Sequence, residues 1–174
     1  MAEAMRAVPP GREPGLEAVV LGLGNVLRSD EGLGIFALGR LESTYTLPPG
    51  VRVVDGGTLG LELLAEIEAS ERLLVLDAVL SGEAPGTLAR LEGDEVPAFI
   101  GRHGSAHDTG LNDVLALARW RGNAPTHLVV LGLQPERLEL GWGLSTGIDA
   151  GLSALADAAA TQLEQWGLQC TPRR

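Results

Sequence analysis

The alternation of wholly apolar segments with amphipathic segments constrains the fold more than any other feature of the sequence. The apolar runs are "AVVLGL" (18–23), "RLLVLDAV" (72–79) and "HLVVLGL" (127–133). Such runs are typical of strands that are buried on both faces. Apolar residues recur at helical spacing over 111–118. Strands that alternate with helices predict an α/β fold with three layers: a twisted, mainly parallel central sheet flanked by helices on both faces.

The predicted order is strand, helix, strand, helix, two strands, helix, strand, helix. Strands are expected at 18–23, 51–55, 72–79, 87–92 and 127–133, the fourth of them short and at a sheet edge. Helices are expected from Asp30 to Glu42, through about Ala69, along the 111–118 stripe and from Leu152 to Trp166. Residues 94–108 give no clear pattern.

Length and composition favour one domain, because 174 residues suit a single core. We expect a flexible N-terminal tail over 1–16, a single α/β domain over 17–168 and a C-terminal tail over 169–174. The only cysteine, Cys170, is expected in that C-terminal tail, which we expect to be frayed.

No apolar stretch reaches the roughly 20 residues of a membrane helix, and no signal-peptide run opens the chain. We therefore expect a cytoplasmic protein. A net charge of -10 makes nucleic acid and anionic membranes poor partners.

Carboxylates lie at the ends of three of the predicted strands or just after them. Asp30 and Glu31 come after the first strand, Asp55 ends the second and Asp77 lies near the end of the third. Ligands of open α/β sheets sit beyond the carboxyl ends of the strands. These acids should therefore approach one edge of the sheet.

Two interpretations of this edge need no metal. In the first, Ser29 caps a helix, and the two acids after it offset the helix dipole, typically by ~0.3–1 kcal/mol each; Asp77 then stays unexplained. In the second, "GLGNVL" begins a dinucleotide-binding loop. However, Leu27 replaces its third glycine, and two acids would repel a pyrophosphate.

A third interpretation gathers the acids around a cation. Glu31, Asp77 and His107 would provide two carboxylates and one imidazole, a donor set that suits Ni, Fe, Mn or Zn. His107 is expected in a polar loop before the fourth helical segment. His103 competes with it, whereas His127 opens a strand with no acid beside it.

Four motifs occur in order along the chain: "GLGNVLRSDEGLG", "VVDGGTLGLELL", "LLVLDAV" with "APGT", and "SAHDTGLNDVLAL". Together they resemble the hydrogenase maturation endopeptidases, which trim the C-terminus of [NiFe] hydrogenase large-subunit precursors. The resemblance extends from about Val19 to the last helix. Asp108 and Thr109 depart mildly from it, since some members carry Gln and Leu there.

The resemblance implies that Glu31, Asp77 and His107 contact nickel that is supplied by the substrate precursor, so that no tightly bound metal of the protein's own is expected. It implies that Asp55, Gly56 and Gly57 form a mobile substrate-recognition element. Glu31 and Asp77 are the candidate catalytic acids, and either one is a possible general base. The same residues could instead form a non-catalytic nickel-sensing or metal-chaperone module that binds the precursor without cutting it.

Overall fold

The computed structural model describes residues 11–98 and 106–173, with side chains from 110 onward in the second range. The strands are β1 Ala18–Leu23, β2 Tyr45–Thr46, β3 Val51–Gly57, β4 Arg72–Ala78, β5 Leu88–Glu92, β6 His127–Leu133 and β7 Thr171–Pro172. The helices include α1 Leu33–Thr44, α2 Leu64–Ala69, α3 Ala106–Trp120 and α4 Thr146–Gln165, with short 3-10 helices at Ser29–Gly32 and Leu61–Leu63.

Five of these strands form one sheet in the order β3-β1-β4-β6-β5. β1 pairs in parallel with both β3 and β4, and β4 pairs in parallel with β6. β5 lies at the edge of the sheet, as predicted for the short fourth strand, and it runs antiparallel to β6. The chain moves outward from β1 to β3, and then from β4 to β6 in the opposite direction. The boundary between β1 and β4 is therefore the topological switch point of the sheet, which is where ligands of this architecture bind.

Alternate residues of the central strands face two separate apolar clusters. Val20 and Leu74 join one cluster, with side chains of α1 and α4. Val19 and Leu73 join the other, with side chains of α2 and α3. Every residue of β1 is buried, because helices cover both faces of the sheet. The predicted three-layer α/β fold is confirmed. No helix over the described residues is both long enough and apolar enough to cross a bilayer.

The end of the chain differs from the expected frayed tail. β7 pairs antiparallel with β2, and Cys170 is buried. The cause lies at the end of α4, where Gly167 has a φ of 84° and Leu168 N donates to Leu163 O at 2.9 Å. This arrangement is a glycine C-cap, and it turns the chain back so that Leu168 and Cys170 pack against the α1/α4 cluster. The prediction of a loose C-terminus was therefore wrong.

The expected N-terminal tail also ends earlier than residue 16. The Arg12 guanidinium donates to Ala124 O at 2.8 Å and to Glu68 O at 3.1 Å. Glu13 N donates to Ala69 O at 2.9 Å. Residues 11–16 thus lie against the folded body, and the tail prediction was wrong for them; the part over 1–10 falls outside the described residues.

Candidate active site

The start of α1 is held tightly against the carboxyl ends of β1 and β4. A Cβ atom on Gly34 would lie 2.1 Å from Leu76 O and 2.3 Å from Leu23 O. Only glycine permits this approach of a helix to two strand ends. The 3-10 turn Ser29–Gly32, which precedes α1, consequently packs on β4. The predicted helix start at Asp30 is thus a 3-10 turn, and the α-helix begins at Leu33.

Glu31 lies in this turn and is buried. Arg28 Nε lies 3.2 Å from Glu31 Oε2, and the same nitrogen donates to Leu138 O at 3.1 Å. Gly24, the residue after β1, contacts the backbone of Glu31. It has a φ of 129°, and a Cβ atom on Gly24 would lie 1.8 Å from Glu31 O. A glycine at the end of β1 therefore lets the chain return close enough to place Glu31 at the switch point.

Asp77 is the penultimate residue of β4 and is also buried. Its Oδ1 accepts a hydrogen bond from Ala78 N at 2.7 Å. Strands β1 and β6 flank β4 on its two sides, so this carboxylate lies at the centre of the sheet edge. The structure thus brings Glu31 and Asp77 to the same edge, as the strand pattern predicted. Two carboxylates there can hold a cation or accept a proton from water.

Asp30, the neighbour of Glu31, has a different role from the one expected. It is completely buried, and it accepts hydrogen bonds from the segment that follows β6. Glu136 N and Arg137 N donate to Oδ2 at 2.9 and 3.0 Å. Ser145 N donates to Oδ1 at 2.7 Å, and Ser145 Oγ lies within 3.0 Å of both oxygens. Burial opposes the ionisation of Asp30, but these hydrogen bonds outweigh it and lower the pKa below its usual value.

The helix-cap interpretation was wrong for Ser29, whereas Asp30 and Glu31 do lie in the first turn of the 3-10 helix. No side chain caps the 3-10 turn, and Ser29 Oγ donates instead to Glu139 O at 3.1 Å. Ser29 N donates to Gly141 O at 2.8 Å, and Gly141 N donates to Leu27 O at 2.9 Å. Residues 27–31 therefore bind the backbone of 136–145, which we call the β6–α4 loop. No local sequence signal predicted this contact, because its partners lie more than 100 positions apart.

The Asp55-Gly56-Gly57 segment belongs to β3 and not to the turn after it. Gly24 N donates to Gly57 O at 2.8 Å, which joins the ends of β1 and β3. Gly56 is buried, and a Cβ atom there would lie 2.7 Å from Leu21 Cδ1. Asp55 is exposed, and its Oδ1 accepts from Gly57 N at 3.0 Å. An exposed acid is thus presented at the same edge of the sheet.

The predicted histidine ligand is placed only through its backbone. His107 lies in the first turn of α3, so the expectation of an irregular loop was wrong at this position. Its side chain and the whole of His103 fall outside the described residues. The described side chains include no group of three or more metal-binding residues, and the three-residue ligand set stays a prediction. His127 opens β6, at the opposite end of the sheet from Glu31 and Asp77.

Comparisons with known proteins give this geometry a family. The family model described as hydrogenase maturation protease matches residues 37–162. The hydrogenase expression/formation protein HupD of Rhodobacter capsulatus is 42% identical over 155 residues, covering 88% of this chain and 74% of HupD. The hydrogenase 2 maturation protease of Escherichia coli is 37% identical over 159 residues, covering 91% of this chain and 97% of that protein.

Solved structures agree with the sequence relatives. The hydrogenase maturating endopeptidase HybD from Escherichia coli superposes with a TM-score of 0.87 at 37% identity, covering 90% of this chain and 98% of HybD. The [NiFe] hydrogenase maturation protease HybD from Thermococcus kodakarensis gives a TM-score of 0.68 at 26% identity, covering 84% and 98%. These solved structures share the α/β fold over most of the chain, and their identity as endopeptidases favours an enzyme over a metal-sensing module. This chain belongs to the hydrogenase maturation protease family, and it is a peptidase.

Proposed function

We propose that this peptidase removes the C-terminal extension from the large-subunit precursor of a [NiFe] hydrogenase after nickel has been inserted. Family membership supports the class of partner. The observation that carries the proposal is the pair of buried carboxylates at the switch point, Glu31 after β1 and Asp77 at the end of β4. Two carboxylates at the point where ligands of this architecture bind can hold a cation or accept a proton from water.

The nickel in this proposal belongs to the substrate. Glu31, Asp77 and His107 would contact it, and carboxylates and imidazole are suitable ligands for Ni²⁺. Arg28 now forms the ion pair with Glu31, so the incoming cation competes with a guanidinium for that carboxylate. Because the set contains no thiolate, the free protein should bind nickel only modestly. A precursor that carries nickel gains these contacts, and a precursor without nickel does not.

Cleavage of the peptide bond requires an activated water or a polarised carbonyl. Glu31 or Asp77 can act as the general base that accepts a proton from the water. The substrate's nickel can supply Lewis-acid polarisation. Asp55, exposed at the end of β3, would contact the precursor beside the cleaved bond, with Gly56 and Gly57 forming the backbone of that recognition element.

The direct test compares nickel-loaded with nickel-free precursor from one preparation. Mass spectrometry should detect a released C-terminal peptide only from the loaded form. Equal release from both forms would contradict the dependence on nickel, and no release from either would contradict the proposed substrate. His107→Ala should abolish release, and the matched control His127→Ala should retain it, because His127 is exposed at the far end of β6.

Nickel binding to the free protein gives an independent measurement. Isothermal calorimetry should give a dissociation constant in the micromolar range or weaker. This corresponds to a binding free energy of about -8 kcal/mol or smaller in magnitude. Retention of nickel through dialysis, with sub-nanomolar affinity, would contradict a metal that is supplied by the substrate.

A further inference from the structure

Large exposed apolar side chains concentrate at the same edge of the sheet as Glu31 and Asp77. Among the described residues, seven such side chains are exposed: Leu27, Leu59, Leu61, Leu88, Trp120, Leu140 and Trp142. Five of them lie on segments that follow the carboxyl ends of β1, β3 and β6. The most exposed of these five are Leu140 at 85% and Trp142 at 74%. Leu27, which is 58% exposed, lies close to them because its carbonyl oxygen accepts a hydrogen bond from Gly141 N. We call Leu27, Leu140 and Trp142 the apolar ridge.

The backbone that carries the apolar ridge is held in place from several sides. A parallel bridge pairs Arg28 with Gly141, and hydrogen bonds of 2.8 and 2.9 Å join Gly141 to Ser29 and Leu27. A Cβ atom on Gly141 would lie 2.7 Å from Ser29 Oγ, so the two segments are in close contact. The buried Asp30 carboxylate fixes both ends of the β6–α4 loop. The fold therefore presents a leucine and a tryptophan to solvent on a fixed backbone.

The charges at this edge of the sheet indicate which kind of partner covers the apolar ridge. In the described part of the chain, the segments at this edge expose five carboxylates against two arginines: Asp55, Glu62, Glu83, Glu136 and Glu139 against Arg28 and Arg137. Glu31 and Asp77 lie within the same edge. A covering partner must then bring apolar side chains together with positive charge, since like charges across an interface are costly. Exposed apolar patches rimmed by polar residues mark interaction sites.

We infer that the apolar ridge is the docking surface for a segment of the precursor that carries apolar side chains together with Lys or Arg. This inference rests on the proposed function, because it assigns the precursor to this edge. Leu140 and Trp142 are then specificity residues that bind the precursor and take no part in bond cleavage. Tryptophan is the residue type most enriched at the energetic centres of protein interfaces.

Steady-state cleavage of nickel-loaded precursor by the full-length protein tests the inference. The Leu140→Ala/Trp142→Ala double variant should raise KM by about tenfold or more while kcat stays near that of the parent protein. The matched control is Trp120→Ala, which removes a tryptophan that is 84% exposed at the end of α3, away from this edge. It should leave both constants unchanged. Glu139→Lys should also raise KM, and Glu139→Gln should raise it less.

Each outcome separates this inference from the proposed function. If the parent protein releases the peptide and the double variant does so with unchanged KM, the ridge does not dock the precursor. The inference also fails if kcat falls while KM is unchanged, because the loop would then position the catalytic edge. If the double variant instead turns a dimer into a monomer in light scattering, with unchanged KM, the ridge is a contact between two copies. If the parent protein releases nothing, the proposed function itself fails.

Discussion

Replacing Asp30 by Asn tests whether an ionised carboxylate holds the β6–α4 loop. Asp30 accepts four donors, of which Glu136 N and Arg137 N share Oδ2. When the Asn oxygen faces Ser145 N, its NH2 group faces these two amides, and donors then oppose donors. Each unpaired, part-buried amide costs about 1–2 kcal/mol. We therefore expect Asp30→Asn to lower the free energy of unfolding by about 2–4 kcal/mol and the Tm by at least about 4 °C.

The pH dependence of this difference has a definite sign. The pKa of Asp30 is lowered in the folded state, against the opposing effect of burial, by its hydrogen bonds. A depressed pKa contributes stability that is fully present above the unfolded value of about 3.9 and is lost as pH falls through the folded value. The difference between the parent protein and Asp30→Asn should thus be constant above about pH 5 and shrink below about pH 4.

Urea denaturation at pH 7 and pH 3.5 measures both effects. The matched control is Glu136→Gln, which removes an exposed carboxylate from the same loop and leaves its amide free to donate to Asp30. It should change stability by less than about 0.5 kcal/mol. If Asp30→Asn also stays within that margin at pH 7, the carboxylate does not hold the loop. Because Asp30 anchors the loop beside Glu31, Asp30→Asn is also expected to reduce peptide release and is not a neutral control.

Three further outcomes follow from the site and the chain end. Glu31→Gln and Asp77→Asn should each fold near-normally but abolish peptide release. Asp77→Asn should fold because its side-chain amide oxygen can still accept the hydrogen bond from Ala78 N. The losses of activity should not add in the double variant, and additive losses in the cleavage assay would show independent roles. Asp55→Ala should retain the parent Tm while raising KM for the precursor, and unchanged kinetics would make Asp55 only a turn residue. Burial, with a smaller contribution from Glu164, raises the pKa of the Cys170 thiol, so a thiol reagent at pH 8 should label Cys170 at the rate of unfolding and not at the rate of a free thiol.

The strand pattern predicted the fold because a strand that is buried on both faces has a continuous run of apolar residues. β1 and β4 were located to within one residue. Glu31 and Asp77 lie at one edge of the sheet, as the strand pattern predicted, since the ends of adjacent parallel strands share an edge whatever their separation in sequence.

The remaining features depend on contacts between distant residues. Nothing near Asp30 indicates that its partners are the amides of 136–145, and nothing near Cys170 indicates that β7 pairs with a two-residue strand at Tyr45. A backbone amide has the same identity in every residue, so sequence patterns carry no information about which amide a buried carboxylate will bind. The helical backbone at His107 lacked a signal for a different reason, because its polar neighbours in sequence are compatible with a loop or with a helix start.

The hydrogen bonds between Asp30 and the β6–α4 loop join a residue that is made early in synthesis to residues that are made late. Glu31 and Asp77 emerge from the ribosome early, but Asp30 lacks these loop partners until β6 and the residues through Ser145 have been made. The apolar ridge is likewise incomplete until Leu140 and Trp142 join Leu27. A nascent chain that has folded only its first strands thus carries the acids without the frame that holds them. We therefore expect the proposed cleavage activity to arise only after most of the chain has been synthesised.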